Sequence, residues 1–512
     1  MNQQNTKIIL LFSVFCIAVC GLVYELLAGT MSSYLLGDSV YQFSTAIGVF
    51  MSSMGLGSYL SRFIKKNIPD NFIRIEMLVG IFGGFSAALL FYAFAVVDNY
   101  TPILFLTVTT NGTLIGIEIP LVIRILKDSS SLSVNVSNVF TFDYIGALAA
   151  SFLFPLFFVP KLGLVQTSFF FGLINVGVAL LALKYFWKTL KEPRALLVLG
   201  LIASLLLTLG FYNSSKISSA LENRLYNQEI IYSHQSPYQR IVLTRSDKDI
   251  KLFLDGSIQF SSNDEYRYHE ALVHPAMAAA TSRHNILVLG GGDGLAVREI
   301  LKYPDVEHVT LVDLDAAVTD LFRKNPLLKD LNSNSLNDSR VTVINGDAWK
   351  YLEENPVNFD VAIIDLPDPQ HLNVSRLYST TFYKLLFSRI APTGVVVTQA
   401  TSPLYSHRAF WCIEKTLVQT DSPLILGEKV ATQPYHVYVP SFGEWGFVMA
   451  SAVMPDWSKL ETSVSTRYLN KEEMPAMAHF PPDMQETEVE INTIDSHKLV
   501  EYYEKGWEEW HL

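Results

Sequence analysis

Five aspartates stand where apolar runs stop. Asp293 lies inside a glycine turn, NILVLGGGDGLAVREI at 285–300; Asp313 closes HVTLVDL; Asp347 follows VTVING; Asp365 and Asp368 close VAIIDLPDP at 361–369. A carboxylate in such a place can accept from ligand hydroxyls, pair with an ammonium, or take a proton as a general base. Each has a plainer use as well. Asp347 suits an N-cap, and Asp315 suits that role better than Asp313 does. Prolines after Leu366 and Asp368 restrain both to extended backbone, so the DLPDP turn is stiff.

The glycine turn follows a strand and opens a helix, which lets backbone approach a ligand closely at Gly290, Gly291 and Gly292. An acid about 20 residues further on, at the end of the next strand, binds ribose hydroxyls in nucleotide folds; Asp313 stands there. Together they point to an adenosyl ligand. Asp293 narrows it, because a carboxylate in the turn repels a ligand carboxylate and attracts an ammonium. The ligand implied carries an amine and no acid. Upstream, DEYRYHEALVHPAM at 264–277 places Tyr268 and His269 before Glu270. Aromatic and acidic groups side by side suit an alkylammonium. His274 is read as structural.

These residues need a scaffold. From Asn285 onward, apolar runs of strand length alternate with helical stretches, which predicts a mostly parallel, doubly wound sheet over 284–454. Short β-rich runs, EIIYSH, YQRIVLTR and KLFLDG, predict a small antiparallel subdomain over 227–283. Residues 455–512 are acidic and aromatic, with a helix expected at 496–510 and no chemical motif. Residues 214–226 are polar and read as a linker.

The first part, 1–213, is of another kind. The chain of 512 residues is 50% hydrophobic and only 17% charged, below the usual quarter for a soluble protein. Seven apolar stretches have spanning length: about 8–29, 39–61, 75–97, 102–123, 138–160, 163–186 and 195–213. An α-helical transmembrane bundle followed by an α/β half is the expected fold, and a cell membrane the expected location. Inside the bundle, Glu25 and Glu118 carry functional and structural readings equally, while Glu76 and Asp143 fit the structural one. Glycines in GVFMSSMGLGS and GIFGG are read as packing sites. Three cysteines, Cys16, Cys20 and Cys412, give neither a disulfide framework nor a metal spacing. A net charge of -11 argues against nucleic acid and for cationic ligands.

Sidedness is in conflict. Basic residues collect between the second and third stretches (Arg62, Lys65, Lys66, Arg74), after the fourth (Arg124, Lys127) and between the sixth and seventh (Lys184, Lys188, Lys191, Arg194). The positive-inside rule then puts the N-terminus inside and, after seven crossings, 214–512 outside.

Together the motifs YQRI (238–241), LDGSIQ (254–259), DEYRYHE (264–270), GGGDG (290–294), GDA (346–348) and DLPDP (365–369) resemble the spermidine synthase, or polyamine aminopropyltransferase, family. The whole chain resembles its branch with an N-terminal membrane domain. The resemblance implies a Rossmann-like, methyltransferase-type sheet, decarboxylated S-adenosylmethionine as co-substrate, no prosthetic group or metal, and putrescine as acceptor. It implies that Gln239, Asp313, Asp347 and Ala348 hold the adenosyl part, with Gly290, Gly291 and Gly292 beside it. Asp293 would bind the aminopropyl amine and His269 the neighbouring polyamine region. Tyr268 and Asp368 would position the diamine, and Asp365 would accept its proton. Leu366-Pro367 departs from the small polar pair of the soluble enzymes, and the late diamine-contacting tyrosine falls near Val439, beside Tyr438. Such a co-substrate is cytosolic, so the catalytic half is expected in the cytoplasm, against the charge rule. A homodimer is also expected. The competing readings are a methyltransferase, transfer to another amine, and a membrane polyamine transporter or sensor.

Overall fold

The computed structural model describes residues 3–510 except 37–38, 98, 128–130, 227, 423–426 and 497. The chain divides into two units, Met1–Ile231 and Tyr232–Leu512.

The first unit is helical: α1 (Gln3–Leu36), α2 (Ser39–Leu60), α3 (Ile68–Val96), α4 (Thr101–Ile125), α5 (Leu132–Leu153), α6 (Val159–Phe186) and α7 (Pro193–Tyr226). Prolines open α3 and α4 in the first turn, where the missing N–H costs nothing. Close approach is bought with glycine: a Cβ at Gly57 would lie 2.0 Å from the Thr113 carbonyl, and one at Gly116 2.1 Å from that of Met54, so α2 and α4 meet backbone to backbone. Among the described residues, five stretches are long and apolar enough to cross a membrane: Lys7–Ser33, Ile68–Val96, Thr101–Ile125, Leu132–Phe186 and Pro193–Ser218. The fourth holds both α5 and α6, broken where Gly163 takes a φ of 72°. α2, 22 residues long, is not among them.

One reading changes. Residues 214–226, taken as a linker, continue α7 to Tyr226. Serine content suggested a linker, but the segment has no glycine or proline to stop a helix. Glu76, given the structural reading above, is fully buried.

The second unit begins with a sheet of order β1-β2-β3-β4: β1 (Glu229–Gln235, across the division), β2 (Arg240–Ser246), β3 (Asp249–Leu254) and β4 (Ser257–Ser261). Asp255 and Gly256 join β3 to β4 with φ of 48° and 85°, the pair of positive values that a tight hairpin requires. Helix α8 (Glu265–Ala279) leads to a seven-stranded sheet of order β10-β11-β9-β8-β5-β6-β7. Its parallel part is β5 (Asn285–Gly290), β6 (His308–Asp313), β7 (Val341–Asn345), β8 (Phe359–Asp365) and β9 (Ile390–Gln399); β10 (Ala431–Val439) and β11 (Gly443–Ser451) run antiparallel at one edge. Ile286–Leu289 and Val361–Ile364 are wholly buried, as central parallel strands covered on both faces must be. The order reverses between β5 and β8, and there ligands of such sheets bind.

Residues beyond 455 are tied into this unit. The buried Glu270 carboxylate accepts from the backbone N–H groups of Arg467, Tyr468 and Leu469 at 2.6, 2.8 and 3.0 Å. A helix follows at Lys498–Glu509.

Candidate active site

Parallel pairing of β5 with β8 sets Gly290 opposite Asp365. The two strand ends are so close that a Cβ at Gly290 would lie 2.1 Å from the Asp365 carbonyl, and one at Gly291 2.9 Å from Asp365 Oδ2. Gly290 and Gly291 also hold φ of 80° and 64°, so glycine is required twice over. The turn then leads into helix α9 (Leu295–Ile300).

Asp365 accepts from the Tyr268 hydroxyl at 2.7 Å. Tyr268 is fixed in turn by the rings of Phe442 and Phe447, at centroid distances of 5.9 and 5.3 Å. Burial raises the Asp365 carboxyl above the ordinary aspartate range, opposed by His269 and Tyr268. Asp293 accepts from Leu295 N–H at 2.9 Å, and burial lifts it to about 6 despite the nearby His269. Burial pulls the His269 imidazole down, yet the Glu265 carboxylate 2.8 Å from Nδ1, with Asp293 and Asp365, raises it to about 9. Arg298 fixes Glu265 with two bonds of 2.9 Å. These carboxylates favour the cationic imidazole, which offsets the repulsion between Asp293 and Asp365.

At the next strand end, Asp313 accepts from Gly292 N–H at 3.0 Å and from Asp315 N–H at 2.9 Å, and burial raises it to about 6. Asp315 caps the following helix, accepting from Ala317 N–H. It also accepts from Ser236 Oγ at 2.6 Å and Gln239 Nε2 at 3.1 Å, which anchors Gln239 beside this strand end. Asp347 caps the helix Ala348–Glu354 and pairs with Arg376, so the plainer reading of Asp347 is realised. Ala348 is buried at the start of that helix.

Asp368 shows what sequence reasoning missed. Its Oδ2 accepts from Tyr503 Oη at 3.0 Å, across 135 residues of chain. Gln370 Nε2 donates to the same tyrosine at 3.2 Å, and Gln399 Nε2 donates to Leu366 O at 2.8 Å. Burial raises Asp368 to about 6. Val439 is buried in the core and Tyr438 is exposed; the hydroxyl on Asp368 comes from the C-terminal helix instead. No local signal marks Tyr503, since its use depends on packing.

A parallel sheet with a glycine turn and acids at its switch point is a fold of the nucleotide-binding type. Residues 265–456 match the family model for the spermine/spermidine synthase domain. The polyamine aminopropyltransferase of Leptospira interrogans is 48% identical over 97% of this chain and 98% of its own. Polyamine aminopropyltransferase 2 of Ralstonia nicotianae is 46% identical over 99% of both. A solved spermidine synthase, in complex with the transition-state analogue AdoDATO, is 28% identical over 50% of this chain and 86% of its own, with a TM-score of 0.44. The chain belongs to the polyamine aminopropyltransferase family, and it is a transferase.

Proposed function

We propose that this chain moves the aminopropyl group of decarboxylated S-adenosylmethionine to putrescine, giving spermidine and methylthioadenosine. One observation carries the reading: Asp293, buried in the glycine turn, shares its surroundings with Asp365 across the β5–β8 switch point. An amino-acid carboxylate there would meet Asp293; an ammonium is welcome. Asp313 and Gln239 would face the ribose, and Asp347 with Ala348 the adenine. Gly290, Gly291 and Gly292 would let the backbone lie against the adenosyl group. His269 would hold Asp293 and Asp365 in their charged forms beside the polyamine.

The reaction forms one C–N bond and breaks one C–S bond. The acceptor nitrogen attacks the carbon next to sulfur, and the departing electron pair turns sulfonium into neutral thioether. The leaving group needs no help. The nucleophile does, because an alkylamine with a pKa of ~10.4 is protonated at neutral pH. Asp365, raised by burial, is the acceptor for that proton. Tyr268 orients Asp365, and Asp368 holds the distal ammonium with Tyr503 and Gln370 beside it. Alignment of both reactants supplies much of the rest.

The test is product analysis with S-adenosylmethionine and its decarboxylated form, each against putrescine, cadaverine, agmatine and spermidine. Spermidine and methylthioadenosine from the decarboxylated form with putrescine support the reading. Methyl transfer, or a clear preference for another amine, overturns it.

The helical unit is proposed to sit in a bilayer, with the catalytic unit in the cytoplasm. Apolar side chains such as Leu201, Leu205 and Leu209 recur every turn on the exposed face of α7, as a lipid-facing surface requires. Labelling of engineered cysteines in intact cells tests the sidedness; reaction of a catalytic-unit cysteine with an impermeant reagent overturns it.

A further inference from the structure

The helical unit buries two glutamates that the transfer reaction does not use. Glu76 on α3 and Glu118 on α4 are both 0% exposed. Their carboxyl groups touch. Among the described residues, no group other than the partner carboxyl reaches any of their four oxygens. Two facing acceptors in a dry interior repel each other unless a positive charge lies between them.

Their surroundings are unsatisfied as well. The Tyr24 hydroxyl on α1, Asn111 Oδ1 on α4 and both amide atoms of Asn175 on α6 are buried without hydrogen-bond partners. Native interiors leave few such atoms. Tyr24 interacts electrostatically with both glutamates. Asn175 packs against Gly80, one turn along α3 from Glu76: a Cβ at Gly80 would lie 3.3 Å from Asn175 Cβ. Asn111 and Glu118 share a face of α4, with Ile115 between them against Gly21 of α1. Four helices thus carry buried polar atoms without partners around or near this pair.

We propose that Glu76 and Glu118, with oxygens of Tyr24 and Asn175, form an exchangeable site for a small hard cation, a proton or a sodium ion. Oxygen donors select hard ions. Among the described residues no three His, Cys, Asp or Glu side chains form a metal-binding group, which disfavours a divalent ion. Packing disfavours an organic amine: a Cβ at Gly80 would be 2.7 Å from Val176, and one at Gly83 2.4 Å from the Tyr24 ring. The site stands independently of the transfer reaction.

The test uses the full chain in phosphatidylcholine vesicles. Binding of radioactive sodium is measured as a function of pH, and carboxyl protonation is followed by infrared difference spectroscopy on glutamate-labelled protein. Saturable sodium binding that weakens in acid, is lost in Glu118→Gln and Glu76→Gln, and survives in Glu25→Gln identifies a sodium site. No sodium binding, with a carboxyl band that titrates through the neutral range and vanishes in Glu118→Gln, identifies a proton site. A carboxyl band that stays constant, with no sodium bound, overturns the proposal and leaves a permanently protonated structural pair. Loss of the signal in Glu25→Gln overturns the location. If the Glu76 and Glu118 variants do not fold, the wild-type titrations alone decide between these outcomes.

Discussion

Both units bury carboxylates, and they treat them in opposite ways. In the catalytic unit every strand-end acid has a donor: Tyr268 for Asp365, Leu295 N–H for Asp293, Gly292 N–H for Asp313, Tyr503 for Asp368. In the helical unit Glu76 and Glu118 have none among the described residues. A donated hydrogen bond fixes a carboxylate in direction, and burial then tunes it. An acid without donors is defined by whatever cation reaches it. The first arrangement suits an acid that acts repeatedly on successive substrates, the second an acid that waits for an ion.

The contrast can be broken at several points. The largest effect is expected at Asp365. Asp365→Asn keeps an acceptor for Tyr268 but cannot take a proton, and general-base catalysis is worth about 10²–10⁴-fold. Single-turnover kinetics should show that loss, with co-substrate binding intact; near-wild-type kcat removes the base assignment.

Asp293→Asn should come next. Hydrogen bonds to charged groups contribute ~1.5–3 kcal/mol, or about one to two powers of ten in Kd. Calorimetry should find that loss for decarboxylated S-adenosylmethionine and little change for methylthioadenosine, which lacks the amine. Equal weakening of both ligands defeats the ammonium argument.

Protonation gives a graded test. In the proposed reaction Asp293 and Asp368 would hold ammonium groups only when ionised, and burial raises both to about 6. The acid limb of kcat/KM should therefore bend near pH 6, far above the ordinary value of 3.8. The same shift has the opposite sign for the ligand-free fold. Native carboxyls protonated below about 6 stabilise it, and that contribution is lost as pH rises through this range. A rate profile flat down to pH 5 contradicts the first statement, and a ligand-free unfolding free energy that does not fall between pH 3.8 and about 6 contradicts the second.

Tyr503→Phe should have the smallest effect. The change removes one donor from Asp368 but leaves its carboxylate and the Gln399 contact in place, so KM for the amine should rise about two- to tenfold with kcat nearly unchanged. A fall in kcat with KM unchanged removes Tyr503 from acceptor binding.

What the sequence disclosed follows from distance along the chain. Asp293, Asp313, Asp347 and Asp365 were readable because each closes its own apolar run, and the alternation of runs with helices is local. The neighbours were not. Nothing in DLPDP shows that β8 lies against β5, where Gly290 and Asp365 nearly collide. Glu270 gave no hint that it would gather three N–H groups from 467–469. The polar stretch 214–226 was misread because serine was weighed over the absence of helix breakers. Glu118 could be singled out, but its partner Glu76 could not, since the pairing exists only once α3 and α4 are packed.

The bond between Tyr503 and Asp368 has an evolutionary consequence. The groups proposed for the bond-making step lie on strand ends between Asp293 and Asp365, whereas one contact to the proposed acceptor pocket arrives on a separate helix, Lys498–Glu509. On that proposal, part of the taste for the amine is written in a stretch of the gene far from the reactive strand ends. Drift in that late helix would then retune which amine is welcome while the strand-end acids are inherited unchanged.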